Sequence, residues 1–160
     1  MTTLRRILMA VDFSDYSNEA VEVAVYLAQK LGGEIYLLHV FELPFYPPPG
    51  MALNVPAEVH RWVKEIKEEE SKRLNKLTEE IRKKEVPVHP MLKEGVPFLD
   101  ILKTAEEIPA DLIVLGTHGR TGLTRMLIGS VAQRVSQKAR CPVLTVRPKA
   151  LSASPEKKRA

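Results

Sequence analysis

Five short, mostly apolar runs recur along this chain and constrain its fold more than any other feature. They cover residues 4–11, 34–40, 86–92, 111–115 and 142–146. Their apolar residues are consecutive instead of alternating with polar ones, which is typical of strands buried on both faces in a parallel sheet. Helical patterns lie between most of the runs. The sequence therefore predicts a doubly wound α/β fold, a five-stranded parallel sheet of order 3-2-1-4-5 with helices on both faces (a three-layer sandwich).

Four segments have the apolar spacing of helices. They are residues 14–31, 57–84, 97–105 and 130–139. Ser14 and Ser17 offer caps for the first helix, and Gly32–Gly33 ends it. The apolar stripe predicted for the second helix consists of Val59, Trp62, Val63, Ile66, Leu74, Leu77 and Ile81. Opposite that stripe, oppositely charged pairs such as Glu68–Lys72 and Glu69–Arg73 indicate a solvated face.

The chain is predicted to be one domain over residues 1–147 with a flexible tail over 148–160. A length of 160 residues suits one domain, and the tail holds almost nothing to bury. Residues 41–56 contain five of the twelve prolines and are therefore predicted to be irregular and to act as a mobile lid.

Composition indicates a cytoplasmic protein that binds neither membranes nor nucleic acids. No apolar run approaches the roughly 20 residues of a membrane helix, and the opening LRRILMAV is interpreted as a strand instead of a signal peptide. The lone Cys141 fits a reducing compartment and is interpreted as structural. The net charge of +4, from 24 basic and 20 acidic residues, gives no reason to expect nucleic acid.

Residues 116–130, GTHGRTGLTRMLIGS, hold four of the eight glycines of the chain. They follow the fourth predicted strand, and in the 3-2-1-4-5 order that strand lies beside the first at the switch point where ligands bind. Without Cβ atoms, Gly116 and Gly119 would let backbone N–H groups approach an anion and adopt positive φ. A helix opened by Gly129–Ser130 would direct its free N–H groups at phosphate, and Arg120 and Arg125 would add charge.

Simpler interpretations of the same residues stay open. Ser130 and Gln133 fit a capping box, Gly122 fits a turn, and Arg125 fits a surface charge. The stretch matches neither the dinucleotide fingerprint nor the P-loop. Its position in the predicted fold nevertheless favours phosphate binding.

The spacing G-x2-G-x9-G-[ST], formed by Gly116, Gly119, Gly129 and Ser130, resembles the nucleotide-binding signature of the universal stress protein family. The resemblance extends over residues 4–147 and includes the segments ILMAVDFS, LLHV, DLIVLGTHG and CPVLTVRP. It implies a member of the ATP-binding subgroup. The nucleotide-binding residues that it implies are Ala10, Val11, Asp12, Val40, Leu115, Gly116, His118, Gly119, Arg120, Gly129, Ser130 and Val131.

The resemblance also implies roles for these residues. Asp12 would accept hydrogen bonds from the ribose, Val40 and Leu115 would contact adenine, and the glycine-rich residues would hold the ribose and phosphates. His118 would shape the turn or touch phosphate indirectly. Ala10 stands where many members have proline, a departure that should not abolish binding.

The function expected is that of an ATP-binding stress-response regulator in which ATP (or ADP or AMP) acts as a switch for unknown protein partners. Mg²⁺ would arrive with the phosphates, with Asp12 as its one candidate protein ligand. The alternative is a slow Mg-dependent ATPase or phosphotransfer enzyme, against which stands the lack of a general base beside an acidic cluster. A flavin carrier is disfavoured because DFSDYSNE, after the first strand, contains no glycine.

The last predicted strand, Pro142 to Val146, would lie at an edge of the sheet. Its residues PVLTV are apolar and uncharged, and an edge of that kind invites pairing with a second chain. The family resemblance implies the same arrangement. A homodimer through this strand is therefore predicted, with its two-fold axis setting the strands antiparallel.

Overall fold

The computed structural model describes residues 4–43, 55–118 and 128–148. Their strands and helices, in chain order, are β1 (Arg6–Ala10), α1 (Asp15–Leu31), β2 (Glu34–Phe41), α2 (Ala57–Arg82), β3 (Val88–Glu94), α3 (Pro97–Glu107), β4 (Leu112–Gly116), α4 (Ser130–Lys138) and β5 (Val143–Val146). All strand pairs are parallel, in the order β3-β2-β1-β4-β5. The predicted fold class and strand order are confirmed. Most of the proposed lid (44–54) and of the tail (149–160) lies outside the described residues.

Helix α1 shows how the local sequence sets the limits of an element. Ser14, in an extended conformation, caps the helix by accepting a hydrogen bond from the Ser17 N–H at 3.3 Å. Gly32 ends it with φ of 62°, a left-handed conformation that favours glycine. Ala20, Ala24 and Ala28 are buried at intervals of four residues, and their small side chains let the helix lie close to the sheet.

The sheet carries a separate apolar cluster on each face. One face is covered by α1 and α2, the other by α3 and α4. The buried residues of the α1–α2 face are Ile7, Met9, Val11, Ala20, Val21, Ala24, Val25, Ala28, Ile35, Leu37, Leu74, Ile81, Val86, Val88, Leu112, Val114 and Val146. Those of the α3–α4 face are Leu8, Leu38, Ile101, Ile113, Leu115, Ala132 and Val135. Burial of strand residues on both faces explains the continuous apolar runs.

The predicted apolar stripe of α2 is buried over its second half only. Leu74 and Ile81 belong to the core, whereas Trp62 in the first half is 43% exposed. A helix of 26 residues is about 39 Å long, whereas the eight residues of β2 span about 26 Å. The stripe follows the predicted spacing, but the helix is too long for the sheet to cover all of it. Of the charged pairs, Glu69–Arg73 is present at 3.4 Å, and Glu68 lies 3.8 Å from Lys64.

Asp111 joins the amino ends of the two central strands. Its carboxylate accepts hydrogen bonds from the backbone N–H groups of Arg5 at 3.1 Å and Arg6 at 2.8 Å, and from the Arg6 guanidinium at 3.4 Å. These bonds, the one from the Arg6 N–H first, lower the pKa of Asp111. The candidate site lies at the opposite, carboxyl end of β1 and β4.

Candidate functional site

A cavity of about 180 Å³ opens at the carboxyl ends of β1 and β4. It is larger than the packing defects of ordinary protein interiors. The lining residues are Ala10, Val11, Asp12, Ser17, Leu38, Val40, Pro97, Ile101, Leu115, Gly116, Thr117, His118, Gly129, Ser130, Val131 and Ala132. The strand order reverses here, because β1 is followed on one side by β2 and on the other by β4. This is the switch point predicted from the sequence.

One wall of the cavity is apolar and belongs to the α3–α4 face. Leu38 and Val40 point to the same side of β2 because side chains alternate along a strand. Leu115 lies on β4, and Ile101 reaches the cavity from α3. Such a wall suits the flat face of a base or another apolar group.

Gly116 ends β4 where α1 passes very close. A Cβ atom added there would lie 2.8 Å from the carbonyl carbon of Tyr16 and 2.9 Å from its oxygen. Gly32 is the one glycine with positive φ among the described residues. The positive φ expected for Gly116 is therefore wrong. Glycine is needed at position 116 because its backbone lies close to the backbone of Tyr16. The φ and ψ angles of Gly116 are open to other residues.

The opposite wall is formed by the start of α4. Gly129 is its N-cap, with φ of −56° and ψ of 154°, and neither a side-chain cap nor an acidic residue in the first turn is present. The N–H groups of Ser130, Val131 and Ala132 have no acceptor within the helix, as at any helix start. The capping box considered for Ser130 and Gln133 is wrong, since Ser130 lies inside the helix. These donors and the positive end of the helix dipole face the cavity.

Two backbone hydrogen bonds fix this wall to the sheet. The Gly129 N–H donates to the Thr117 carbonyl at 2.6 Å, and the Thr117 N–H donates to the Val146 carbonyl at 2.9 Å. The start of α4 is thus held beside the ends of β4 and β5. The position of its free donors does not depend on side-chain rotamers.

Asp12 is oriented by the cap of α1. Its Oδ1 accepts hydrogen bonds from the Ser14 N–H at 3.0 Å and the Ser14 hydroxyl at 2.5 Å. The next residue, Phe13, has φ of 61°, a left-handed conformation that costs a non-glycine residue about 1–2 kcal/mol. The turn after β1 is therefore strained, and it presents an oriented carboxylate at the cavity.

His118 forms part of the wall beside Thr117. Its Nδ1 lies 3.1 Å from the Thr117 Oγ1, and its ring lies 5.0 Å from that of Tyr16. Within the part of the chain that the structure describes, its Nε2 is buried without a hydrogen-bond partner. A ligand in the cavity would offer that nitrogen a partner.

The structure brings most of the predicted site residues together. The cavity wall contains Ala10, Val11, Asp12, Val40, Leu115, Gly116, His118, Gly129, Ser130 and Val131. Gly119, Arg120, Gly122 and Arg125 lie outside the described residues.

Sequence reasoning missed other residues of the wall: Ser17, Leu38, Pro97, Ile101, Thr117 and Ala132. Leu38 could have been found, because it lies two residues before Val40 on the same strand face. Pro97 and Ile101 carry no comparable signal, since their approach depends on how α3 packs.

Two features are absent from the described residues. No group of three or more His, Cys, Asp or Glu side chains is arranged to hold a metal ion. No helix in residues 4–43, 55–118 or 128–148 is both long and apolar enough to cross a membrane.

The fold and the cavity define a doubly wound α/β protein with a candidate ligand site at its switch point. The family model described as the Universal stress protein family matches residues 3–147, and the chain belongs to this family. The family predicted from the sequence is thereby confirmed.

Two relatives and two solved structures illustrate the similarity. Universal stress protein MJ0531 of Methanocaldococcus jannaschii is 39% identical over 149 residues, which are 89% of this chain and 82% of the relative. Universal stress protein MJ0577 of the same organism is 30% identical over 156 residues, 91% of this chain and 96% of the relative. A structure of MJ0577 superposes with a TM-score of 0.78 and 27% identity, over 92% of this chain and 98% of the other. The structure of a universal stress protein from Archaeoglobus fulgidus in complex with dAMP has a TM-score of 0.57 and 27% identity, over 91% of this chain and 99% of the other.

Proposed function

We propose that this chain binds an adenine nucleotide (ATP, or ADP or AMP) in the cavity between β1 and β4. The observation that carries the proposal is the start of α4, whose first N–H groups face the cavity, with no side-chain cap among the described residues and no acidic residue in the first turn. Such a helix start is a ready anion site. The complex of the Archaeoglobus fulgidus relative with dAMP supports the adenine nucleotide as the class of ligand.

The cavity offers a different environment to each part of such a ligand. Val40 and Leu115 would contact the base, and Asp12 would accept hydrogen bonds from the ribose. Gly116, Gly129, Ser130 and Val131 would hold the phosphates. Gly119 and Arg120 stay predicted phosphate ligands. Mg²⁺ would be held mainly by the phosphates and water, because the described residues offer no acidic cluster.

The role we propose is regulatory, with nucleotide occupancy changing a surface that protein partners read in the cytoplasm under stress. A slow Mg-dependent hydrolysis is the alternative, and the observation in its favour is the His118 imidazole in the cavity wall. Single-turnover hydrolysis measured with the purified protein, and its loss in His118→Ala, would decide for the enzyme.

Mass spectrometry of nucleotides that copurify with the protein, followed by calorimetric titration with ATP and Mg²⁺, tests the binding itself. Gly129→Val is the informative variant, because φ of −56° and ψ of 154° are open to valine while its side chain would crowd the phosphate wall. We expect it to fold and to lose most of the affinity. Ala139→Val is the control, because it introduces the same valine side chain at the other end of α4. Equal ATP affinity in Gly129→Val and the parent would overturn the site.

A homodimer through β5 is part of the proposal. In the described chain β5 pairs with β4 alone, and Val143, Leu144 and Thr145 remain only partly buried. Sedimentation of the parent should give a dimeric mass, and a Val143→Lys, Thr145→Pro variant a monomeric one, because proline removes a ladder N–H. A monomeric parent at micromolar concentration would refute the dimer.

A further inference from the structure

The turn that follows β1 contains a residue in an unusual backbone conformation. Phe13 has φ of 61°, in the left-handed region that favours glycine. Among the described residues other than glycine, Glu85 and Pro109 also have a positive φ, and neither lines the cavity. Phe13 directly follows Val11 and Asp12, which do line it. A strained residue in such a position is a candidate for a role in the site.

The backbone conformation of Phe13 is coupled to the orientation of the Asp12 carboxylate. The Asp12 Oδ1 accepts one hydrogen bond from the Ser14 N–H at 3.0 Å and another from the Ser14 hydroxyl at 2.5 Å. The first of these bonds closes a ring of atoms that contains the whole backbone of residue 13. A rotation about φ of Phe13 would therefore move the Ser14 N–H away from the Asp12 Oδ1 and release the carboxylate.

The Phe13 side chain stabilises this conformation from the α1–α2 face of the sheet. It is partly buried and packs against the apolar cluster of that face. Its ring centroid lies 4.6 Å from that of His39, with the two ring planes 51° apart, within the range in which aromatic rings attract each other. The burial and the ring contact offset the unfavourable φ, because a small side chain at position 13 would gain neither.

His39 gives the Phe13 ring a fixed surface to pack against. The residue is 2% exposed, and its Nδ1 lies 2.7 Å from the carbonyl oxygen of Val11. A carbonyl oxygen only accepts, so the Nδ1 donates this hydrogen bond. The Val11 N–H donates to the Leu38 carbonyl at 2.9 Å. Both polar backbone groups of Val11 are thus bound to β2, which leaves residue 13 as the point where this turn can relax.

We propose that Phe13 is a positioning residue of the nucleotide cavity, whose ring, packed on His39 and the α1–α2 cluster, holds a left-handed backbone that directs the Asp12 carboxylate at the ribose. Phe13 is not one of the described residues that line the cavity, and it acts through Asp12. This inference rests on the proposed function, because Asp12 is the residue that would accept hydrogen bonds from the ribose. It explains why an aromatic side chain stands where the backbone favours glycine.

Phe13→Ala and Phe13→Gly separate the effect of the ring from that of the backbone. Both variants lose the ring, but glycine adopts φ of 61° without strain, whereas alanine does not. At ordinary positions alanine is the more stabilising of the two residues. We expect the reverse here, with a urea midpoint about 0.3 M higher in Phe13→Gly than in Phe13→Ala and both midpoints below that of the parent. A higher midpoint in Phe13→Ala would overturn the proposal.

A comparison of ATP with 2′,3′-dideoxy-ATP measures the orientation of Asp12. The dideoxy nucleotide lacks both ribose hydroxyls, so it cannot donate hydrogen bonds to the carboxylate. We expect calorimetry with Mg²⁺ to show that the parent binds ATP about tenfold more tightly than the dideoxy nucleotide. This preference should fall to about twofold in Phe13→Ala, as in Asp12→Ala, and should stay above about fivefold in Phe13→Gly. Affinity for the dideoxy nucleotide should change little in any of them.

Glu85 is the matched control for the backbone conformation. It is exposed in the turn after α2, with φ of 58°, and it is not one of the described residues that line the cavity. Glu85→Gly should likewise be more stable than Glu85→Ala, because glycine relieves the same left-handed conformation. Both variants should keep the parental preference for ATP. Loss of that preference in either would show that lower stability alone weakens it, which would refute a specific role of Phe13.

The outcomes for this positioning role and for the proposed function are distinguishable. A parent that binds neither nucleotide would refute the proposed function. A parent that prefers ATP, with the same preference in Phe13→Ala, would refute the positioning role and leave the proposed function standing. Equal affinity of the parent for the two nucleotides would also overturn the positioning role, because Asp12 would then not contact the ribose.

Discussion

Replacing Gly116 by alanine tests a tightly confined position of the site. The new Cβ would lie 2.8 Å from the Tyr16 carbonyl carbon, 2.9 Å from its oxygen and 3.0 Å from its Cβ. Carbon atoms prefer separations of about 3.5 Å or more, so β4 and the first turn of α1 would have to separate by roughly 0.7 Å.

The expected cost follows from that overlap. Overpacking of this kind lowers the free energy of unfolding by about 1–3 kcal/mol. The smaller conformational freedom of alanine in the unfolded chain raises it by about 0.4–1 kcal/mol. The net loss in the free energy of unfolding should be about 1–2 kcal/mol, a fall of roughly 0.5–1 M in the urea midpoint at a slope of about 2 kcal/mol/M. Because Tyr16 also contacts the His118 ring, ATP affinity should fall as well.

Gly33→Ala is the matched control. Its Cβ would lie 2.7 Å from the Arg5 carbonyl oxygen, a similar clash at the opposite end of the sheet. It should lower the urea midpoint similarly and leave ATP affinity unchanged. A Gly116→Ala variant as stable as the parent would refute the reasoning from close approach.

Three further predictions concern separate groups. Asp111→Asn should lower the free energy of unfolding by about 1 kcal/mol at neutral pH. Because the pKa of Asp111 is lowered in the folded chain, this difference in stability should vanish as pH falls through that pKa. Urea unfolding of the parent and the variant at several pH values would show this. Ser14→Ala should lower the free energy of unfolding by about 1 kcal/mol through loss of the α1 cap. It should also weaken ATP binding, because Asp12 loses its hydrogen bond from the Ser14 hydroxyl. Calorimetry that finds unchanged ATP affinity would contradict the proposed role of Asp12. Burial raises the pKa of the Cys141 thiol, so maleimide labelling at mildly alkaline pH should be slower than for a free thiol and should reach the free-thiol rate in urea.

Sequence patterns were sufficient to predict the features that a single strand or helix determines by itself. The apolar runs predicted all five strands, and Ser14 and Gly32 marked the ends of α1. The position of Gly116 at the end of β4 located the site, since the strand order places the preceding residue, Leu115, opposite Ala10 at the end of β1.

Features that depend on two elements could not be predicted in the same way. The need for glycine at position 116 arises from Tyr16, a hundred residues earlier in the chain. The approach of Glu70 to His39 depends on how α2 packs across β2, and the entry of Ile101 into the cavity depends on α3. The spacing of residues along one element does not predict its contacts with another element.

The unequal apolar clusters on the two sheet faces have a consequence for local unfolding. The α3–α4 layer, which forms part of the cavity wall, encloses far fewer buried side chains than the α1–α2 layer. It can therefore detach at a smaller free-energy cost than global unfolding requires. Amide protons of α3 and α4 should exchange with solvent through this partial opening, whereas those of α1 should exchange only when the whole chain unfolds. A nucleotide bound at the start of α4 would then slow exchange selectively in that layer, so that occupancy of the site is converted into rigidity of one side of the molecule.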